Sequence, residues 1–202
     1  HGAVGIVTYR EEGYLPEALR NYLLRLGWGH GDVELISTEE ASKLFDLDGI
    51  GRSAARFDFD KLANFNGHYL READNPRLAE LVTERLEQKL GRTLSQSESD
   101  RLQMGMEGLK QRAKTVKELA ENAEFYVERP TVLTAKAAKQ LDDEAQHRLA
   151  QLREQLAAIP EWNEEALEQR VRGFADGEGL KLGKIAQPLR AALTGSTVSP
   201  GI

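Results

Sequence analysis

The stretch Gly179–Gly195 reads GLKLGKIAQPLRAALTG and contains no acidic residue. Its three cations are Lys181, Lys184 and Arg190. Proline favours the first position of a helix and glycine the position after the last, so a short helix is predicted from Pro188 to the final glycine. Arg190 would then lie in the first turn, where the helix dipole disfavours a cation. Such an exception to a local rule often marks a binding site, and exposed N–H groups beside three cations suit an anionic, planar partner such as RNA. The alternative is a solvated basic turn.

The rest of the chain is acidic, with a net charge of −6, but its charge is uneven. A second cationic segment, Lys110–Lys117, contains no acid. Its cations are Lys110, Arg112, Lys114 and Lys117. Two positive segments on an acidic background favour one specific docking pose over general attachment to nucleic acid.

The composition, with 40% hydrophobic and 30% charged residues in a chain of 202, is typical of a folded, highly soluble protein. The absence of cysteine excludes disulfides and cysteine zinc sites within this chain and suits a cytoplasmic location. The four histidines lack any ligand spacing, so we expect no metal site. No membrane span or signal peptide is visible. Because the chain starts at His1 rather than methionine, we expect it to belong to a longer protein.

Apolar residues recur at helical spacing throughout, and no segment alternates as a strand, so the predicted fold is all-α. Capping boxes are predicted at Ser37, Ser95 and Thr115, where a glutamate follows three residues later. Helices are predicted, among others, over 16–27, 57–71, 76–90, 95–112, 134–141 and 143–159. Composition shifts near Pro76 and Pro130 indicate domain boundaries.

The glycine-rich segment Gly27–Asp32 carries Trp28 and His30. It lacks the order of a phosphate-binding P-loop, and no strand precedes it, so nucleotide binding is not expected there. Two interpretations stay open: a connector with Trp28 packed into the core, or a loop whose backbone approaches a ligand.

Motifs at both ends of the chain resemble those of bacterial glutamyl-tRNA synthetase. The N-terminal ones are His1-Gly2-Ala3, Gly13–Leu23 (GYLPEALRNYL), Leu26-Gly27-Trp28, Phe57-Asp58 and Asn66-Gly67. The C-terminal ones are Lys181-Leu182-Gly183, Gln187–Gly195 (QPLRAALTG) and Ser199-Pro200-Gly201. The resemblance covers essentially the whole chain in collinear order, and the segment from 72 to 159 matches mainly by pattern.

The resemblance implies a helical stem-contact region at 1–72, followed by two α-helical anticodon-binding subdomains at 73–128 and 129–202, the second cut short at its C-terminus. It also implies that the nucleotide-binding catalytic half lies upstream. We therefore expect no catalytic residue and no cofactor in this chain, which alone would be inactive. The parent enzyme would be an ATP-dependent glutamate–tRNA ligase that uses ATP and Mg²⁺.

The resemblance also assigns roles to single residues. Arg112 would contact the last anticodon base, although a one-residue shift would place Gln111 there and favour a member that also charges glutamine tRNA. Around the first anticodon base it implies Arg190, Thr194, Ser199 and Pro200. Four lysines would meet the tRNA backbone: Lys114, Lys117, Lys181 and Lys184. Trp28 and His30 would lie at the inner corner of the tRNA. The expected partner is tRNA(Glu), and tRNA(Gln) is a second candidate. We expect the protein to be a monomer that does not associate with a membrane.

A non-enzymatic helical scaffold or protein-interaction module is the alternative, because acidic amphipathic helices without a catalytic constellation would look the same by composition. A free-standing hydrolase has no support, since no nucleophile motif or metal set is present.

Overall fold

The computed structural model describes residues 5–51 and 55–199, and within these ranges it contains eleven α-helices and one 3-10 turn. The β-structure in this part of the chain is an isolated antiparallel bridge between Trp28 and Ile50. The predicted all-α fold is confirmed. The chain divides into two compact units, His1–Ala123 and Glu124–Ile202.

The first unit is built from two sets of packed helices. Its helices are α1 (Ile6–Glu11), α2 (Pro16–Gly27), α3 (Thr38–Leu44), α4 (Phe59–Glu72), α5 (Asn75–Leu90), α6 (Gln96–Lys110) and α7 (Val116–Ala123). Helix α2 packs on α4 through a cluster of Leu19, Tyr22, Leu62 and Phe65. Helix α5 packs against both α6 and α7. Burial of these apolar stripes accounts for the predicted helical periodicity.

The predicted N-caps are mostly confirmed. Ser37 and Ser95 each form a complete capping box with the glutamate three residues later. At Thr115 only half of the box exists: Thr115 Oγ1 accepts the Glu118 N–H at 3.1 Å, but the Glu118 carboxylate accepts the Lys114 N–H at 2.7 Å. The predicted reciprocal box was wrong there, because the carboxylate reaches one residue further back.

Buried Asn66 joins the start of α2 to the start of α7. Its Oδ1 accepts the Leu15 N–H at 2.7 Å, and its Nδ2 donates to the Lys114 carbonyl at 2.6 Å. Gly13, with φ of +86°, also accepts the Val116 N–H at 2.9 Å. A Cβ at Gly13 would lie 2.5 Å from the Lys117 nitrogen, so the close approach requires glycine. This junction fixes the segment Ala113–Val116 onto the N-terminal helices.

The second unit contains a 3-10 turn at Glu124–Tyr126 and four helices: α8 (Ala135–Ala138), α9 (Asp143–Ala157), α10 (Glu164–Gly177) and α11 (Gly183–Thr194). Its core consists of Leu152, Val171, Phe174, Ala175 and Ile185. The predicted helix over 134–141 is shorter than expected. Thr134 caps a single turn, and Asp142 accepts the Ala145 N–H at 2.8 Å to begin the next helix.

The prediction that a helix begins at Pro188 was wrong, because Pro188 lies inside α11, which begins at Gly183. Proline there removes the N–H that would bond to the Lys184 carbonyl. The preceding turn is helical all the same, since Ile185 is 2% exposed and packs in the core of the unit. Full burial of such a side chain contributes about 1.5–3 kcal/mol, comparable with the cost of about 3 kcal/mol for an interior proline.

This correction moves Arg190 away from the positive end of the helix. Arg190 is the eighth of twelve residues in α11, four residues before its end at Thr194. The dipole acts mainly on the first and last turns, so it does not oppose a cation at this position. An unfavourable position in the helix dipole therefore no longer supports a binding site at Arg190, and the evidence for such a site has to come from the contacts of its side chain. The predicted C-cap is confirmed: Gly195 has φ of +68°.

Candidate nucleic-acid interface

Arg190 is oriented by the segment that follows its own helix. Its Nε donates to Ser199 Oγ at 2.6 Å, and both side chains are partly exposed. An arginine held through Nε has a fixed guanidinium plane, and its edge can donate to two acceptors at once. The structure thus brings together two of the residues predicted for one base-binding site. Pro200, predicted beside them, lies outside the described residues.

The backbone between Arg190 and Ser199 is held by a compact set of hydrogen bonds. Thr194 Oγ1 donates to the Arg190 carbonyl at 2.9 Å and accepts the Ser196 N–H at 3.2 Å. The Gly195 carbonyl accepts the Thr134 N–H at 2.9 Å. A Cβ at Gly195 would lie 2.7 Å from the Val132 carbonyl oxygen, so this turn presses against the segment before α8. We call Arg190, Thr194, Gly195 and Ser199 the arginine loop.

The hydrogen bond between Thr134 and Gly195 stabilises the arginine loop, a role that was not predicted from the sequence. Glycine was expected at position 195 only as a helix stop. Thr134 was expected only as the first residue of the predicted helix over 134–141, and no local pattern connects it to residue 195.

Lys181 and Lys184 flank the start of α11, and both side chains are exposed. Lys181 contributes its carbonyl to the Lys184 N–H at 2.8 Å, which forms the first turn before α11. Neither ammonium group forms an ion pair within the described part of the chain. Both lysines are therefore accessible to phosphate groups.

The second predicted cationic segment lies where α6 ends and α7 begins, and we call Lys110–Lys117 the cationic corner. Its first member is structural: Lys110 is 7% exposed, and its Nζ contacts Glu107 Oε2 at 3.0 Å and the Ala73 carbonyl at 3.2 Å. Hydrogen bonds from Lys110 and then Asn75 hold the pKa of Glu107 below its ordinary value. Lys110 is therefore committed to the fold.

Arg112 is exposed, and within the described residues its guanidinium has no hydrogen-bond or ion-pair partner. Its neighbour Gln111 is also exposed but donates through Nε2 to Glu107 Oε1 at 3.1 Å. Of these two candidates for a base contact, Arg112 has the side chain without an intramolecular role.

The two remaining cations of the corner have intramolecular partners of different kinds. Lys114 Nζ donates to the neutral amide oxygen of Asn64 at 2.9 Å. Lys117 Nζ forms an ion pair with Glu12 Oε2 at 3.0 Å, with both side chains about half exposed. A phosphate can join Lys114 without displacing a carboxylate, whereas it must compete with Glu12 for Lys117.

Trp28 is 5% exposed, and its Nε1 donates to the Asp46 carbonyl at 3.1 Å. His30 stacks on it, with ring centroids 5.9 Å apart and planes 12° apart, and is itself exposed. Of the two residues predicted at the inner corner of the tRNA, Trp28 is therefore buried in the protein, whereas His30 is exposed to solvent.

The described residues contain neither a candidate metal site nor a candidate membrane span. Among the described residues there is no group of three or more histidine, aspartate or glutamate side chains placed to hold a metal ion. None of the described helices has the length and apolar character needed to span a bilayer.

Comparison with known proteins identifies the class of this fold. Residues 77–202 match the family model described as anticodon binding domain, and the chain belongs to that family. Residues 2–64 match a second model, the catalytic domain of class I tRNA synthetases (E and Q).

The particular relatives are glutamate–tRNA ligases. The chain is 56% identical over 204 residues to Glutamate–tRNA ligase 2 of Paramagnetospirillum magneticum and 55% identical over 203 residues to that of Rhodospirillum centenum. Each alignment covers 100% of this chain and 43% of the relative. The chain therefore spans less than half the length of the curated relatives it matches.

Solved structures agree with this relationship. The crystal structure of a glutamate tRNA ligase from Elizabethkingia meningosepticum, in complex with its amino acid, superposes with a TM-score of 0.79 at 29% identity. The match covers 95% of this chain and 38% of that one. The glutamate-tRNA synthetase from Elizabethkingia anophelis gives a TM-score of 0.77 at 30% identity, covering 95% and 37%.

Proposed function

We propose that this chain recognises tRNA within an ATP-dependent glutamate–tRNA ligase, and that the arginine loop contacts the first anticodon base. The observation that carries the proposal is the 2.6 Å hydrogen bond from Arg190 Nε to Ser199 Oγ. Cytosine offers two adjacent acceptors, O2 and N3, which suit the donors of a guanidinium edge. Splayed single-stranded bases are the usual targets of sequence-specific RNA readers.

In the same proposal, Arg112 contacts the last anticodon base. A free guanidinium can donate to a base edge, and the partnered amide of Gln111 is less available. This assignment favours a ligase that prefers tRNA(Glu) over tRNA(Gln). Lys114, Lys117, Lys181 and Lys184 bind phosphates, and His30 supplies the inner-corner contact beside the packed Trp28.

The proposed division of labour follows the predicted regions. Residues 1–72 contact the tRNA stem, and 73–128 and 129–202 bind the anticodon. The parent enzyme would be a monomer in the cytoplasm that activates glutamate with ATP and Mg²⁺.

The test is tRNA binding by Arg190→Ala at fixed salt. Loss of a bidentate base contact costs about 1–3 kcal/mol, which is roughly a 5- to 150-fold weaker Kd. Arg172→Ala is the matched control, because Arg172 is an exposed arginine of the same unit paired with Glu168. We expect the control to bind as the wild type does.

A tRNA with a changed first anticodon base separates base recognition from general attraction. Wild-type protein should bind this tRNA as weakly as Arg190→Ala binds tRNA(Glu), and the variant should not distinguish the two tRNAs. Equal or absent binding of both tRNAs by the wild-type protein would instead favour the helical scaffold.

A further inference from the structure

We propose a second phosphate-binding site in the first unit, formed by Arg71 and Lys114 where their side chains meet over Gly67. It rests on the proposed function in that its natural ligand is the tRNA sugar-phosphate backbone. Lys114 already binds phosphate in that function, and the new element is Arg71, on the helix α4 that lies within the region proposed to contact the tRNA stem.

The Arg71 guanidinium and the stem of the Lys114 side chain both lie beside a position without a side chain. A methyl group built on Gly67 would lie 3.4 Å from Arg71 Nη1 and 3.6 Å from Lys114 Cγ. Arg71 is one turn after Gly67 on α4, and Lys114 reaches the same place from the segment before α7. The Asn66 contact with the Lys114 carbonyl at 2.6 Å fixes the backbone from which the lysine extends.

Neither the Arg71 guanidinium nor the Lys114 ammonium group forms an ion pair with a carboxylate among the described residues. Lys114 Nζ is held by the neutral amide of Asn64, and Arg71, which is exposed, has no ion pair among the described residues. By contrast, Lys61 pairs with Glu34 and Arg77 pairs with Glu17 in the same unit. The Glu118 carboxylate accepts the Lys114 backbone N–H at the start of α7 rather than pairing with the ammonium group.

Such a site favours a phosphodiester rather than a base. Two cations converging from different elements neutralise an anion, whereas base readout needs donors and acceptors in a fixed pattern. Each phosphate neutralised adds about one to the dependence of log K on log salt. The site also extends the cationic corner onto α4, so the RNA backbone would cross both elements.

The experiment measures binding to two RNAs between about 50 and 200 mM salt: tRNA(Glu), and a short hairpin with a paired stem and no anticodon. Three variants remove the site in different ways. Arg71→Gln and Lys114→Gln each delete one cation, and Asn64→Asp keeps both but places a carboxylate against Lys114. Lys61→Gln is the control, an exposed α4 lysine already paired with Glu34. Thermal melting establishes that each variant is folded.

We expect each of the three variants to bind both RNAs about three- to tenfold more weakly at low salt, with a salt slope smaller by about one. Lys61→Gln should keep the wild-type slope. Wild-type slopes for both Arg71→Gln and Lys114→Gln would overturn the site. If one variant does not fold, the other and Asn64→Asp decide.

The two proposals fail separately. Altered slopes in a protein that does not distinguish anticodons would support the phosphate site and contradict the proposed function. A clear anticodon preference with unaltered slopes would contradict the phosphate site, and with it the phosphate role of Lys114, but not the anticodon contacts. A protein that binds neither RNA overturns both.

Discussion

The cationic corner and the arginine loop are both candidate RNA contacts, but the fold treats their cations differently. In the corner, Lys110 is buried and Lys117 is ion-paired, so only part of the charge seen in the sequence is available to a partner. In the arginine loop the single arginine is oriented through Nε by Ser199. A count of positive residues therefore does not measure a binding surface, because folding engages some cations and orients others.

The difference also concerns how much ordering each site requires on binding. Arg112 is exposed and unrestrained by any partner in the described part of the chain, so binding must immobilise it. Immobilising a side chain of this kind costs about 0.5–1.5 kcal/mol. Arg190 has lost part of this freedom already. Four substitutions, each with its own control or reference, test this comparison, and a fifth tests stability.

The largest effect is expected for Gly195→Ala. Alanine must adopt a left-handed conformation, which costs about 1–2 kcal/mol, and its Cβ would meet the Val132 carbonyl at 2.7 Å. The turn must shift, and Arg190 loses its alignment with Ser199. We expect a lower Tm and tRNA binding weakened by more than about tenfold, equivalent to about 1.4 kcal/mol.

Gly179→Ala is the matched control for that variant. Gly179 has φ of +66°, nearly the same as Gly195, but a Cβ there has open space around it. It should lose stability to a similar conformational penalty and keep its tRNA affinity. Equal losses of affinity in the two variants would show that the packed turn is unimportant for binding.

Ser199→Ala should weaken tRNA binding by about 1 kcal/mol, or roughly fivefold, because it removes the acceptor at Arg190 Nε. Ser199→Thr retains the hydroxyl and should restore most of the affinity. Titration of tRNA(Glu) into each variant measures the effect. If alanine and threonine weaken binding equally, the hydroxyl does not position Arg190.

Arg112→Ala should cost less than Arg190→Ala, because the lost contact is partly offset by the ordering that the wild-type side chain undergoes on binding. The difference should be about 0.5–1.5 kcal/mol when both variants are measured against tRNA(Glu) at one salt concentration. A larger loss for Arg112→Ala would reverse the comparison between the two sites.

Glu12→Gln should strengthen tRNA binding, since it releases Lys117 from its ion pair at 3.0 Å. Exposed ion pairs contribute about 0–1 kcal/mol, so the gain should not exceed about fivefold. The gain should disappear in the Glu12→Gln, Lys117→Gln double variant. Persistence of the gain in that double variant would exclude Lys117 as its cause.

The smallest effect concerns stability alone and involves Glu98, in the first turn of α6 at the opposite end from the cationic corner. Arg92 and the Ser95 capping contacts lower the pKa of Glu98 from 4.5 to about 2. A carboxylate with a depressed pKa adds stability above its unfolded pKa, and that stability is lost as the pH falls toward 2.

The Tm difference between the wild-type protein and Glu98→Gln should therefore be constant from neutral pH to about pH 5 and shrink between about pH 4.5 and 2. Thermal melting across this pH range measures it. A difference that is independent of pH would show that the ionised form of Glu98 has no special role.

The sequence predicted helices well and the arrangement of single side chains less well. The capping serines and the helix-ending Gly195 are local signals, and they mark the corresponding helix ends correctly. The prediction of a helix start at Pro188 was wrong because burial of Ile185 extends the helix toward the N-terminus. That burial depends on the core of the unit, which the local sequence does not show. Likewise, the Glu107–Lys110 spacing is local, but the burial of Lys110 against the Ala73 carbonyl is not, so the sequence alone does not separate structural Lys110 from available Arg112.

The two candidate sites also differ in whether their residues are close in the sequence or are brought together only by the fold. Arg190 and Ser199 are nine residues apart, and their proximity follows from the helix stop between them. The meeting of Arg71 with Lys114 over Gly67 depends on the packing of α4 against the segment before α7, which helical periodicity does not specify.

The Asn66 junction also has a consequence for the order in which the first unit folds. It connects Gly13 and Leu15 to Lys114 and Val116, segments separated by about a hundred residues. Contacts of such long sequence separation form late, because the entropy of closing the loop must be overcome first. As the chain emerges from the ribosome, helices α2 and α4 would have to wait for residue 116 before the buried amide could satisfy its hydrogen bonds. The N-terminal helices would therefore reach their final stability only after synthesis of nearly the whole unit.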